Sequence, residues 1–133
     1  DGGFTNKRNH TFNMFERLTN QKDCGNCGNH PEATLLFSNL MKNHMFKKEF
    51  ADRYKHIVEE YMRIDKTLPI VDSIANIYKV NMQSQINRWR YPWSVKNHWE
   101  RDVNNNIKEF LRNRSASTLK NLNTYMQEGI YDD

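Results

Sequence analysis

The chain has few of the residues that build tight turns or disulfide scaffolds. Its 133 residues include 5 Gly, 3 Pro and 2 Cys. So little glycine and proline disfavours a turn-rich β architecture, and two cysteines are too few for a disulfide-stabilised scaffold. No run approaches the roughly 20 consecutive apolar residues that a transmembrane helix requires. These absences predict a helical protein without a membrane span.

A concentrated block of charge is also missing. There are 20 basic and 16 acidic residues, which give a net charge of +4 and a pI of about 9.1. The two signs are interspersed, as where Glu49 follows Lys47 and Lys48. Because nucleic-acid-binding domains usually gather positive charge on one face, we expect no nucleic-acid partner.

Recognisable catalytic motifs are lacking as well. The sequence contains no glycine-rich phosphate loop, no Ser-His-Asp arrangement and no paired-carboxylate motif. The residues taken alone therefore predict a helical domain with no visible chemistry.

Apolar residues recur with the period of an α-helix from Pro31 onward. The clearest stripe runs from Phe46 to Tyr61, and a second runs from Val95 to Leu111. Thr67 and Pro69 predict one helix start, Ser94 predicts another after the break at Pro92, and Ser115 or Ser117 predicts the last.

We therefore predict an all-α fold with about five helices in an irregular bundle. An irregular segment over residues 1–31 would precede a helical subdomain over 32–128 and a tail over 129–133. The short connections between the stripes are typical of helix bundles.

A Cys-Gly-Asn-Cys motif lies in the polar stretch before Pro31. Cys24 and Cys27, with His30 as a third ligand, have the spacing of half a zinc site, but a second cysteine pair is missing. A redox motif would normally follow a strand, and none is predicted here. A third interpretation is a surface loop, closed by a local disulfide in an oxidising compartment.

Aromatic residues cluster at the break between the third and fourth helices. Trp89, Tyr91 and Trp93 lie among basic residues and would suit base stacking, or would pack one helix end on its neighbours. Trp99 falls on the apolar stripe of its own helix, so we expect it in the core.

Residues 35–54 carry an ordered series of apolar and polar residues that resembles the signature "LL…L-x-x-N-x-x-F-x-x-x-F-x-x-R-[FY]" of the spore coat protein H (CotH) kinase family. The matching positions are Leu35, Leu36, Leu40, Asn43, Phe46, Phe50, Arg53 and Tyr54. The resemblance continues in register over about 33–128, at Val71-Asp72-Ser73-Ile74, Arg88-Trp89, Trp99, Phe110 and Arg114. Ser84 or Gln85 replaces a basic residue that the family often carries before its Arg-Trp pair.

The resemblance implies the C-terminal helical part of an atypical protein kinase. Such a kinase transfers the γ-phosphoryl group of ATP to Ser or Thr of a protein substrate with Mg²⁺ or Mn²⁺. Most of its catalytic residues would lie upstream and be absent here, so that upstream part of the same chain becomes an expected partner. Asp1 resembles the second acidic residue of the family's "D-x-D-x-x-F-G"-like metal-binding segment, although Gly3-Phe4 reverses the usual order.

The alternative is a non-catalytic helical interaction module of a secreted or cell-surface protein. The resemblance favours a secreted, periplasmic or surface location, and the cysteine motif would suit one. On either interpretation, we expect the 133 residues alone to be catalytically inactive and to bind no cofactor by themselves.

Overall fold

The computed structural model describes residues 7–19 and 31–128, and every described element is helical. A 3-10 helix, Lys7–Thr11, precedes α1 (Met14–Thr19), α2 (Pro31–Leu40), α3 (His44–Tyr61) and α4 (Ile64–Trp89). Two π-helical segments, Val95–Glu100 and Val103–Lys108, lead into α5 (Glu109–Glu128). The all-α prediction with about five helices is confirmed.

The connection between α2 and α3 follows from local chemistry. Pro31 opens α2, because the first residue of a helix makes no intrahelical hydrogen bond with its amide and proline therefore loses nothing there. The negative charge of Glu32 in the first turn interacts favourably with the positive end of the helix dipole. Asn43 then caps α3, because its side-chain oxygen accepts a hydrogen bond from the Phe46 amide at 3.0 Å.

Helix α4 begins earlier than the sequence pattern predicted. It starts at Ile64 with Arg63 as the N-cap, so Thr67 is an internal residue and not the cap. The Thr67 hydroxyl donates to the Arg63 carbonyl at 3.0 Å. Arg63 donates two hydrogen bonds to Asp65 at 2.9 and 2.8 Å, and these bonds lower the pKa of Asp65. A carboxylate fixed in the first turn stabilises the early start.

The predicted break near Ser115 is absent. Residues 95–128 form one continuous helical rod, which starts at the Ser94 cap and passes through the π-helical segments into α5. The Ser115 hydroxyl caps no helix and instead donates to the Met62 carbonyl at 3.1 Å. The rod therefore bonds to the α3–α4 connection at the position where the sequence suggested a new helix.

An aromatic core joins α1, α3 and α5. Phe15 is buried and stacks on Tyr125, with ring centroids 5.1 Å apart. It also contacts Tyr54 at 5.2 Å and Phe50 at 6.1 Å. Offset and edge-on ring pairs add stabilisation beyond their buried area. Phe15 thus anchors the N-terminal helix on α3 and α5.

Helix α4 packs alongside the rod. Lys79 pairs with Glu100 at 2.7 Å, and Lys108 pairs with Asp72 at 2.5 Å. These two pairs fix an antiparallel arrangement, since the residue numbers fall on α4 as they rise on the rod. No helix within the described residues is long and apolar enough to cross a membrane.

Candidate functional site

The C-terminal rod holds the segment that links the 3-10 helix to α1. Arg114 donates from one guanidinium nitrogen, Nη1, to the carbonyls of His10 at 2.7 Å and Phe12 at 2.9 Å. Asn121 donates to the same Phe12 carbonyl at 3.3 Å, and the His10 ring lies 2.8 Å from the Ser117 hydroxyl. We call these four contacts the Arg114 clamp. They join residues more than 100 positions apart in the sequence.

The clamp extends into the aromatic core. The Arg114 guanidinium lies 5.9 Å from the centre of the Phe110 ring, and Phe110 is buried. Burial raises the pKa of the Tyr54 hydroxyl, and the positive charge of Arg114 partly offsets that rise. Hydrogen bonds to the N-terminal segment therefore hold the Arg114 charge in place, where it acts on Tyr54 of α3 and lies beside Phe110 of α5.

The predicted metal ligands lie outside the described residues. This applies to Asp1 as a magnesium ligand and to Cys24, Cys27 and His30 as zinc ligands. Within 7–19 and 31–128, no group of three or more His, Cys, Asp or Glu side chains is arranged to hold a metal ion.

An apolar groove of about 500 Å³ runs between α4 and the rod. Its α4 wall includes Ile70, Ile74 and Met82, and its other wall includes Trp99 and Val103. Ile70 is 58% exposed and Ile74 is 50% exposed. Grooves with such linings are typical of sites that receive apolar side chains.

Trp99 occupies a different position from the one expected. It lies half-buried in the wall of this groove and is not part of the buried core. The stripe of apolar residues identified the correct helix face. That face is only partly covered, because α4 contacts one edge of it.

The turn between α4 and the rod is built around His98. The Trp93 amide donates to His98 Nδ1 at 3.2 Å, and the opposite ring nitrogen lies 3.3 Å from an Asp102 carboxylate oxygen. Because Nδ1 accepts a hydrogen bond, the proton of a neutral His98 ring belongs on Nε2, the nitrogen that faces Asp102. The rings of Tyr91 and Trp93 flank His98 with centroids at 5.1 and 5.3 Å.

The remaining surface of this turn is aromatic. Trp89, Tyr91 and Trp93 are 61, 66 and 57% exposed. The sequence left open whether these aromatic residues pack between helices. The structure shows that most of their area faces outward.

The sequence analysis missed the clamp. The sequence marks Arg114 as a position of the family resemblance but does not predict its clamp contacts, because its partners are backbone carbonyls that no side-chain pattern marks. One feature of the sequence could have indicated these contacts: Arg114 lies next to the apolar face of a predicted helix, and a charge near a core needs hydrogen-bond partners.

A comparison with protein-family models matches residues 2–118 to the model described as CotH kinase protein. The match covers most of the chain. The chain belongs to the CotH kinase family. Asp1 lies one position before the matched span, while Phe110 and Arg114 of the clamp lie within it. No curated protein and no solved structure matches the chain.

Proposed function

We propose that this CotH family chain is the C-terminal helical subdomain of an atypical protein kinase. The kinase would use ATP and Mg²⁺ or Mn²⁺ to phosphorylate Ser or Thr of a protein substrate. Most catalytic residues would lie upstream of these 133 residues. The observation that carries the proposal is the family match over residues 2–118, together with the all-helical fold of the described part.

The Arg114 clamp supports a mechanical role for this subdomain. By fixing the backbone at His10 and Phe12, the clamp would restrict the movement of the chain that leads back to Asp1. A segment that carries a metal ligand benefits from such restriction, because phosphoryl transfer depends on accurate positioning of the phosphates.

Asp1 is the residue proposed to contact the metal. A carboxylate oxygen is the donor that Mg²⁺ prefers in proteins, so the residue type fits. The bound ion would neutralise charge on the ATP phosphates. Asp1 would hold the ion, and the clamp would hold the backbone at His10 and Phe12.

A phosphoryl-transfer assay on a polypeptide extended upstream tests this assignment. We expect the extended chain to label a generic Ser/Thr protein substrate from γ-labelled ATP, and we expect Asp1→Asn to reduce labelling at least 100-fold. Asp52→Asn is the matched control, because Asp52 is exposed and its one ion-pair partner among the described residues is Lys48 at 3.0 Å. Equal labelling by the two variants would remove Asp1 from the site, and no labelling by the extended wild-type chain would contradict the kinase proposal.

The groove supports a second candidate function, a non-catalytic helical interaction module. Its exposed isoleucines on α4 offer apolar surface that the described residues do not cover. An upstream polypeptide that lacks a catalytic acid and a phosphate-binding Lys would favour this candidate over the kinase.

A further inference from the structure

Three basic side chains at the turn after α4 have no carboxylate partner within the described residues. Arg88, Arg90 and Lys96 are exposed, and none of them forms an ion pair there. The sequence contains no Asp or Glu between Asp72 and Glu100. The surface of this turn is therefore positive, although charge over the whole chain is interspersed.

The same turn presents its aromatic rings on a defined backbone. The Arg90 amide donates to the Ile86 carbonyl at 2.8 Å, and the Ser94 hydroxyl accepts from the Asn97 amide at 3.1 Å. These bonds fix both sides of the exposed Trp89, Tyr91 and Trp93. We call the exposed aromatic and basic residues of 88–96 the basic aromatic turn.

The basic aromatic turn adjoins the apolar groove. His98 contacts the rings of Tyr91 and Trp93, and the next residue, Trp99, lines the groove together with Met82. Along α4 the groove extends from Thr67 to Met82, which corresponds to roughly 22 Å of helix. It is therefore long enough for about four turns of a partner helix.

The groove itself offers no free charge. Lys79 and Lys108, which lie beside it, are neutralised by Glu100 and Asp72. An occupant must consequently bring apolar side chains to the groove and place its charged groups at the basic aromatic turn.

We infer that the groove and the basic aromatic turn together bind an acidic amphipathic helix of a partner protein. Apolar residues at every third or fourth position would fill the groove, and carboxylates near one end would pair with Arg88, Arg90 and Lys96. Charge complementarity selects an acidic partner over a basic one. The inference goes beyond phosphoryl transfer and does not depend on it.

Single-stranded nucleic acid is the competing anionic partner, and the structure favours the helix. Three cations are fewer than the roughly 6–10 phosphate contacts that make nucleic-acid binding strong. The adjoining groove is lined by residues such as Ile70, Ile74 and Val103, and aliphatic side chains are not the aromatic platforms on which bases stack.

Selection from a displayed library of random 16-residue peptides on the 133-residue chain tests the inference. We expect enriched peptides to carry net negative charge and apolar residues at helical spacing. Enrichment of neutral or basic peptides, or no enrichment above an empty support, would overturn it.

Binding of one enriched, fluorescently labelled peptide then locates the site. The triple variant Arg88→Gln, Arg90→Asn and Lys96→Gln should weaken binding about tenfold or more, since Asn tolerates the left-handed backbone at residue 90. The matched control, Lys42→Gln, Lys55→Gln and Lys120→Gln, removes the same charge from exposed sites elsewhere and should change affinity less than twofold. Equal losses in the two variants would show a net-charge effect and overturn the assignment.

A second pair of variants tests the groove. Ile74→Ser should weaken peptide binding at least fivefold, whereas Val80→Ser, an exposed α4 position outside the groove, should not. Both variants must keep the helical circular dichroism of the wild type. A 16-nucleotide oligothymidine that bound more tightly than the acidic peptide, with the same dependence on residues 88–96, would overturn the inference in favour of nucleic acid.

Discussion

Replacing Arg114 by Met should release the N-terminal segment from the rod. Methionine keeps much of the aliphatic stem that packs beside Phe110, but it cannot donate to the carbonyls of His10 and Phe12. The substitution therefore removes the two Arg114 hydrogen bonds of the clamp with little change in apolar contact, and it leaves the Asn121 and Ser117 contacts in place.

The magnitude follows from those two bonds. A hydrogen bond to a charged group contributes about 1.5–3 kcal/mol. Here one nitrogen serves both carbonyls and the site is only partly buried, so we expect about 2 kcal/mol in total. For a chain of this length, that loss corresponds to a fall in Tm of about 8 °C.

Urea denaturation followed by far-UV circular dichroism measures the loss. Arg112→Met is the matched control, because Arg112 is exposed and, within 7–19 and 31–128, its one ion pair is with Glu109 at 3.2 Å. We expect that control to cost less than about 0.5 kcal/mol. Arg114→Lys should recover part of the stability, since an ammonium group can still donate to one of the carbonyls.

Equal stability of Arg114→Met and Arg112→Met would refute this account of the clamp. The N-terminal segment would then be held by the Phe15 contacts and the remaining Asn121 and Ser117 contacts, and the two Arg114 hydrogen bonds would add no stability.

Three further outcomes follow from burial. Phe15→Ala should cost about 3–5 kcal/mol in urea denaturation, because it removes a buried ring from an aromatic cluster; a loss below about 1 kcal/mol would contradict the core assignment. Trp99→Ala should cost only about 1–2 kcal/mol, because the side chain is half-buried in the groove; a loss of 4 kcal/mol would restore the original core prediction. Burial raises the pKa of Tyr54 and Tyr125 in the folded chain above their value in the unfolded chain. The free energy of unfolding should therefore be highest below about pH 10 and fall as the pH rises through the folded pKa values, because deprotonation then favours the unfolded chain. Thermal melts of the wild type and Tyr54→Phe between pH 8 and pH 11 check this, and parallel curves for the two proteins would contradict it.

Helical periodicity predicted most of the architecture. The stripe from Phe46 to Tyr61 corresponds to α3, and the one from Val95 to Leu111 corresponds to the start of the rod. The predictions from these stripes are correct because a helix in a bundle is stabilised by burying its apolar face.

Polar residues produced the errors in helix boundaries. Ser115 and Thr67 are good helix-capping residues by type, yet both donate to backbone carbonyls instead, Ser115 across the fold and Thr67 within α4. A sequence pattern reports which hydrogen bonds a residue can form locally. It does not show a carbonyl that the fold brings close from another helix.

The candidate site was predictable only in part. The family resemblance is confirmed over residues 2–118, but the Arg114 clamp depends on contacts between the two ends of the described chain. The roles of Asp1, Cys24, Cys27 and His30 stay predictions, as does the division into segments at residues 31 and 128.

The central claim is that this CotH family chain supports a nucleotide site whose other residues lie upstream. Thermal stability with and without millimolar Mg-ATP, measured on the 133-residue chain and on a polypeptide extended upstream, tests it most directly. We predict that Mg-ATP raises the Tm of the extended polypeptide by several degrees, that ATP with EDTA does not, and that the 133-residue chain shows no shift. An extended polypeptide whose Tm is unchanged by Mg-ATP, or a 133-residue chain that is stabilised equally, would contradict the claim.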